Sequence, residues 1–145
     1  MIRPLRPADA AEWLRLRCQL WPGAVEDHRA DIAAFLDGTA CEPAAVLVAE
    51  LSGSLIGFAE LSIRTCAEGC TTDRVAFLEG WYVVPPERRK GVGRALVLAA
   101  ESWGRDKGCV EFASDSQISN AGSIEAHAAL GFENVGVVVC FRKAL

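Results

Sequence analysis

Residues 75–107 contain a long apolar strand, a double proline, a basic loop with glycines and an amphipathic helix, in that order. The strand segment VAFLEGWYVV, at 75–84, carries a single charge, which is typical of a central strand that is buried on both faces. The prolines that follow end the strand, because proline has no N–H to donate to a neighbouring strand. The helix at 91–107 repeats apolar residues along one face. This succession predicts an α/β fold.

The rest of the chain predicts shorter elements of both kinds. Strands are expected at 2–5, 45–51, 54–63, 109–114 and 135–142, and helices between Asp9 and the WPG turn and at about 26–37 and 120–130. The segment SGS connects the strands at 45–51 and 54–63 as a hairpin. The order predicts one domain, residues 1–145, in which helices cover both faces of a sheet.

Composition restricts the class of protein further. A chain of 145 residues that is 51% hydrophobic can bury a core of its own. Neither a signal peptide nor an apolar run of membrane-spanning length is visible, so we expect a cytoplasmic protein with no membrane partner. Two histidines and six scattered cysteines predict no metal site and reduced thiols. A net charge of −4 argues against nucleic acid and favours a cationic small molecule as partner.

The basic loop that precedes the helix at 91–107 has the properties of an anion site. Gly91 and Gly93 allow a ligand to approach the backbone closely, and the first turn of a helix offers unpaired N–H groups. Four cations surround these glycines: Arg88, Arg89, Lys90 and Arg94. The pattern suits a phosphate or pyrophosphate, although it matches neither the P-loop nor the dinucleotide fingerprint. The alternative is a solvated basic loop that only caps the helix.

Two motifs resemble the GCN5-related N-acetyltransferase (GNAT) superfamily. The segment RRKGVG, residues 88–93, is similar to its acetyl-coenzyme A signature, and NAGSIEAHAALGF, residues 120–132, is similar to a second family element. The resemblance implies a mixed, mostly antiparallel sheet that is splayed between its fourth and fifth strands. It implies acetyl-coenzyme A as co-substrate and no metal.

The resemblance also assigns residues to the coenzyme. The pyrophosphate would lie on the loop and the helix start, which include Val92, and Trp81, Tyr82 and Val83 would hold the pantetheine arm. The Val83 N–H would stabilise the oxyanion of the tetrahedral intermediate. Asn120 resembles the family residue that contacts the coenzyme. His127 stands where many members have a tyrosine that protonates the leaving thiolate, but a packed or surface histidine is equally compatible with this position.

Two carboxylates are candidates for the amine acceptor. Glu79 is the only charged residue in the segment 75–84, and a carboxylate in an apolar strand is costly unless it is paired or functional. Asp115 follows the short strand EFAS, at the edge where open α/β sheets bind ligands. Either could attract an ammonium group and accept its proton, directly or through water. The alternatives are an exposed strand position or a buried salt bridge for Glu79, and a helix or turn cap for Asp115.

Short strings along the chain resemble the aminoglycoside 6′-N-acetyltransferases within this superfamily. They are LWPG at 20–23, FLEG at 77–80 and ASD at 113–115. The resemblance implies that Trp21, Glu79 and Asp115 line the antibiotic site, and that the acetyl group passes to the 6′-amine by direct attack in a ternary complex, which confers resistance. It also implies a homodimer, with the strand at 135–142 as its element. Alternatives are acetylation of a polyamine or protein amine, or a non-catalytic acyl-coenzyme A-binding module.

Overall fold

The computed structural model describes residues 1–145, and its elements follow the predicted order as far as residue 129. The strands are β1 (Ile2–Pro4), β2 (Ala45–Leu51), β3 (Ser54–Arg64), β4 (Val75–Val83) and β5 (Glu111–Ser114). The α-helices are α1 (Ala10–Leu20), α2 (Val25–Leu36), α3 (Val92–Asp106) and α4 (Ala121–Ala129), and single 3-10 turns lie at Pro7–Asp9 and Pro85–Glu87. These bounds lie within two residues of the predicted ones.

The five strands form one sheet in the order β1-β2-β3-β4-β5. All neighbours are antiparallel except β4 and β5, which run parallel because the crossover through α3 connects them. The parallel pairing covers only Val75–Leu78 of β4, opposite β5, so the rest of β4 has no partner on that side. The predicted fold class, a mostly antiparallel sheet splayed between its fourth and fifth strands, is therefore confirmed.

Two apolar clusters hold the helices on opposite faces of the sheet. On one face α3 packs against the sheet, and on the other α1 and α2 do. The first cluster consists of Leu47, Ala49, Ala59, Leu61, Leu78, Leu96, Val97 and Ala100, and the second of Trp13, Leu16, Ile32, Val46, Val48, Leu55 and Phe58. None of the helices combines the length and the apolar character needed to cross a membrane.

The prediction of a last strand at 135–142 is wrong. Residues 133–145, here called the C-terminal tail, form no strand, and side chains such as Val139 and Phe141 are exposed by 75% and 92%. A strand exists only where a neighbour completes its hydrogen-bond ladder, and no backbone group of the tail bonds to the sheet. The tail pairs with neither edge strand of the sheet, β1 or β5, so its apolar pattern alone does not make it a strand.

Candidate active site

The splay between β4 and β5 creates a cleft lined by free backbone groups. The N–H of Val84 donates to the carbonyl of Ile56 at 2.9 Å and so faces β3. Because successive N–H groups of a strand point in opposite directions, the N–H of Val83 faces the cleft. The structure therefore places Val83 where the predicted contact with a thioester is possible.

The carbonyl of Val83 already accepts a hydrogen bond from Arg88, one of the residues predicted to hold the phosphate. Arg88 Nε donates to this oxygen at 2.8 Å, and the Arg88 guanidinium lies 5.4 Å from the ring centroid of Tyr82. Arg88 is exposed, so this contact is reached from solvent. The Arg88 guanidinium thus lies at the end of β4, where the chain continues into the basic loop.

The basic loop leads into α3 through two residues with positive φ. Arg89 has φ +64° and Gly91 has φ +86°, the left-handed region that a glycine adopts without a steric cost. The first helical bond runs from the N–H of Ala95 to the carbonyl of Gly91, so the N–H groups of residues 92–94 have no partner in the helix. Unpaired N–H groups, the helix dipole and exposed cations make this turn suitable for a phosphate.

The four cations of the loop are not equivalent. Arg89 and Arg94 are exposed and form no ion pair, whereas Lys90 Nζ lies 3.2 Å from a carboxylate oxygen of Glu87. With Arg88 bonded to Val83, the loop presents two unpaired guanidinium groups. We take these two as the strongest candidates for contact with an anionic ligand.

Trp81 and His127 form one wall of the cleft. The rings lie 5.3 Å apart in an edge-to-face arrangement, and a Cβ at Gly93 would come within 3.1 Å of the indole. The indole N–H of Trp81 is buried and donates to no other residue. Since an unpaired buried donor is costly, this group is available to a ligand in the cleft.

His127 is held in one tautomer by two neighbours. Its Nδ1 lies 2.7 Å from the carbonyl of Ser123, which can only accept, so this nitrogen carries the proton. Its Nε2 lies 2.9 Å from Ser114 Oγ and can accept from that hydroxyl. The sequence reasoning missed Ser114, although its position just before Asp115 was a signal.

Trp21 lies against Gly80, which follows Glu79 in β4. A Cβ added at Gly80 would come within 2.6 Å of the Trp21 ring, so the indole lies directly on β4. The carbonyl of Trp21 is bonded at 2.9 Å to Nε2 of the buried His28, which fixes the chain after α1. The aromatic surface and the carboxylate therefore occupy neighbouring positions at the open part of the cleft.

Glu79 is paired rather than free. Arg64 donates to both of its carboxylate oxygens, at 2.9 and 2.7 Å, and the guanidinium lies 3.6 Å from the ring centroid of Phe77. These hydrogen bonds with Glu79 raise the pKa of Arg64, and the charge of Asp115 adds to the effect. Glu79 is thus the direct partner of Arg64, whereas Asp115 acts on the same guanidinium only through its charge. Asp115 itself is exposed and forms no ion pair.

A second strand carboxylate, Glu60 of β3, was not predicted as a site residue. It is 3% exposed, and its Oε1 accepts from Trp13 Nε1 at 3.0 Å and lies 3.4 Å from Arg17 Nε. Burial raises the pKa of Glu60 to about 7, against the lowering effect of Arg17. The available signal was a charged residue in the apolar segment SLIGFAELSI, the same signal that singled out Glu79.

Asn120 is placed at the start of α4. Its Oδ1 accepts from the N–H of Ser123 at 3.1 Å, so it caps the helix, and its side chain is exposed. A helix cap at this position is compatible with the predicted contact to the coenzyme. No three His, Cys, Asp or Glu side chains are grouped so that they could hold a metal ion.

The splayed sheet, the helix start with its unpaired N–H groups and the cleft between them are typical of an acyl-coenzyme A-dependent acyltransferase fold. The sequence model of the acetyltransferase (GNAT) family matches residues 9–132. The chain therefore belongs to the acetyltransferase (GNAT) family.

Curated relatives are similar over the whole chain. The aminoglycoside N(6′)-acetyltransferase type 1 of Klebsiella aerogenes is 56% identical over 100% of this chain and 97% of its own length. The protein of the same name from Stenotrophomonas maltophilia is 43% identical over 99% of this chain and 93% of its own length.

Solved structures of aminoglycoside 6′-N-acetyltransferases are also similar over the whole chain. AAC(6′)-Iy in complex with the bisubstrate analogue CoA-S-monomethyl-acetylneamine superimposes with a TM-score of 0.92 at 40% identity, covering 100% of this chain and 98% of that one. The apo structure of the aminoglycoside 6′-N-acetyltransferase AAC(6′)-IG from Acinetobacter haemolyticus gives a TM-score of 0.91 at 36% identity, covering 100% of this chain and 99% of that one.

Proposed function

We propose that this chain is an aminoglycoside 6′-N-acetyltransferase, which transfers acetyl from acetyl-coenzyme A to the 6′-amine and so confers resistance. The observation that carries the proposal is the placement of Trp21 on β4 beside Glu79, next to the splayed cleft. An aromatic face and carboxylates suit a sugar that carries ammonium groups. Relatives with this activity in their names match the full chain at up to 56% identity.

The donor would bind along β4 and at the start of α3. Arg89, Arg94 and the N–H groups of residues 92–94 would hold the pyrophosphate, with Arg88 and Lys90 nearby. Val83 would bond the pantetheine arm or the thioester carbonyl through its cleft-facing N–H. Such a preorganised N–H stabilises the charge that develops on the carbonyl oxygen. The Val83 carbonyl accepts from Arg88 and keeps a second lone pair that a donor of the coenzyme could use.

The acceptor would bind between Trp21, Glu79 and Asp115. Arg64 occupies both oxygens of Glu79, so this carboxylate orients the ammonium without being the most accessible proton acceptor. Asp115 has no ion-pair partner and would contact the ammonium directly. The amine must lose one proton to a carboxylate, directly or through water, before it attacks the thioester carbonyl.

The second proton of the reaction would go to the leaving thiolate. His127 carries its proton on Nδ1, towards Ser123, and accepts at Nε2 from Ser114 Oγ. To pass a proton on, the imidazole must first take up a second proton at Nε2. The imidazolium then protonates Ser114 Oγ as the hydroxyl proton moves to the thiolate, and His127 is left neutral. We assign His127 and Ser114 to thiolate protonation; replacing His127 by Asn should lower kcat and leave acetyl-coenzyme A binding intact.

We further propose a homodimer and a cytoplasmic enzyme, the compartment of its coenzyme A donor. The C-terminal tail exposes a run of apolar residues without a ladder partner, and a second copy of the chain could supply that partner. Replacing Val139 by Asp should shift the chain towards the monomer in light scattering after size exclusion. The same change at Val110, an apolar residue outside the tail that is 83% exposed, is the control. If the unaltered chain is already a monomer in this measurement, the proposed dimer is wrong.

The activity is tested by free-thiol release from acetyl-coenzyme A with kanamycin, spermidine or a lysine peptide as acceptor. We expect turnover with kanamycin and a single acetyl group on the 6′-amine by mass spectrometry. Turnover only with spermidine or the peptide would keep the coenzyme site and reject the antibiotic. Coenzyme binding without turnover on any amine would favour a non-catalytic module.

A further inference from the structure

A small polar cavity lies on the β3 side of Glu79. Its volume is about 180 Å³, and none of the residues around it is hydrophobic. They are Arg17, Asp31, Glu42, Pro43, Glu60 and Glu79. A polar cavity of this size has room for water bonded to its walls. Because Glu79 belongs both to this cavity and to the proposed acceptor site, the cavity adjoins the place of the amine.

The two strand carboxylates of the cavity differ in how their oxygens are used. Both oxygens of Glu79 accept from Arg64. Glu60 bonds through Oε1 alone, to Trp13 and towards Arg17, and its Oε2 accepts from no residue. Glu60 therefore retains one carboxylate oxygen without a hydrogen-bond partner at the polar cavity, whereas both oxygens of Glu79 are engaged by a guanidinium.

Charged groups of both signs surround Glu60. Arg17 of α1 lies 3.4 Å away and also bonds Asp31 of α2 at 3.1 Å. Glu42 and Glu79 complete the acidic side of the cavity, and Arg64 neutralises Glu79. Burial, together with the charges of Asp31 and Glu79, raises the pKa of Glu60 to about 7 in spite of Arg17. A carboxylate that titrates there can take up and release a proton at neutral pH.

We propose that Glu60 accepts the proton that the acceptor ammonium loses before attack, through water in the cavity shared with Glu79. The inference rests on the proposed function and names the proton acceptor for that same site. Glu79 and Asp115 then bind and orient the amine, and Glu60 takes its proton.

The protons balance over one turnover. The ammonium gives one proton through water to Glu60 and becomes a neutral amine. Its nitrogen forms the C–N bond, the C–S bond breaks, and the second proton of the nitrogen reaches the thiolate. Glu60 returns its proton to solvent through the cavity, so one proton is released for each amide formed.

The test is the pH dependence of kcat/KM for kanamycin in three variants. The unaltered enzyme should lose activity as pH falls below about 7, where Glu60 becomes protonated. Glu60→Gln should lower the value near pH 8 by roughly 100-fold and remove this acid limb. Asp31→Asn removes a charge that raises the pKa of Glu60 and should move the limb to lower pH. Asp27→Asn, the same change one helical turn earlier and exposed, should leave the limb in place.

Acetyl-coenzyme A binding and the melting temperature of each variant separate catalysis from folding. An acid limb that persists unchanged in Glu60→Gln would overturn the proposal. If Glu60→Gln does not fold, an unmoved limb in Asp31→Asn overturns it instead. If the unaltered enzyme does not acetylate kanamycin, the proposed function is rejected. That result differs from an acid limb of the pH profile that is the same with and without Glu60.

Discussion

Arg64 holds the orientation of Glu79, a carboxylate of the proposed acceptor site. The guanidinium bonds both carboxylate oxygens and stacks on Phe77, so the fork holds the carboxylate in one orientation. A lysine at this position would keep the charge but could not bond both oxygens in the same plane. The pair therefore acts through geometry as well as through charge, which makes it testable by a conservative change.

We expect Arg64→Lys to lower kcat/KM for kanamycin about tenfold, the effect of losing one charge-assisted hydrogen bond. The KM for acetyl-coenzyme A should not change, because Arg64 lies on the acceptor side. Steady-state kinetics with each substrate varied measures both. Arg105→Lys, which alters an exposed pair with Glu101, is the control. A larger effect on the coenzyme than on kanamycin would contradict this placement of Arg64.

Asp115 and Arg89 are expected to separate the acceptor from the donor. Asp115→Asn removes a negative charge that attracts the ammonium and should reduce kcat far more than it weakens acetyl-coenzyme A binding. Arg89→Gln should do the reverse, since Arg89 is an exposed, unpaired cation beside the start of α3. Isothermal titration and steady-state kinetics measure the two effects. Equal losses in the two variants would remove Asp115 from the acceptor side.

Strand β4 carries residues of both proposed substrate sites on one element. Its first residues pair with β5, while its later residues line the cleft and contact Trp21 at Gly80. The absence of a side chain at Gly80 is what permits the indole to lie against the strand. The position of Trp21 therefore depends on the element as a whole, and a methyl group at Gly80 tests it.

We expect Gly80→Ala to raise the KM for kanamycin roughly tenfold, because its Cβ would lie 2.6 Å from the Trp21 ring and displace it. Acetyl-coenzyme A should bind as before. Gly122→Ala, where the nearest atom to a Cβ is 3.9 Å away, should leave the kanamycin KM unaltered. Unchanged kanamycin kinetics in Gly80→Ala would show that Trp21 does not contact the antibiotic.

The free energy of unfolding of the whole molecule should depend on pH because of the buried Glu60. Its pKa rises from an ordinary 4.5 to about 7 on folding, so the native state holds the proton more tightly than the unfolded chain. The contribution to stability is fully present below the ordinary value and is lost as pH rises through about 7. A neutral residue at this position removes the dependence.

We expect the free energy of unfolding of Glu60→Gln, relative to the unaltered protein, to improve between pH 4.5 and pH 8 by as much as roughly 3 kcal/mol. Urea unfolding at a series of pH values measures the difference, and any constant cost to Arg17 cancels from its slope. Glu125→Gln, an exposed change, should run parallel to the unaltered protein. A flat difference for Glu60→Gln would show that Glu60 titrates normally.

The family motifs implied the splayed fold, and the sequence alone predicted the element order as far as residue 129 and the basic loop before α3. These depend on local chemistry: prolines that end β4, Gly91 where φ is positive, and apolar periodicity along α3. The family motifs occupy contiguous residues, so they were legible without coordinates. The carboxylates Glu79 and Asp115 could likewise be picked out, because a charge in or just after an apolar strand is rare enough to notice.

Only the tertiary structure decided which groups those residues face. Arg64 on Glu79, Ser114 on His127, and Trp13 on Glu60 pair residues 15, 13 and 47 positions apart, and no local pattern selects such partners. The tail was misread for the same reason: its sequence favours an extended strand, but a strand needs a neighbouring backbone. Local propensity depends on residues that are contiguous in the sequence, whereas hydrogen-bond partners and burial depend on the assembled fold.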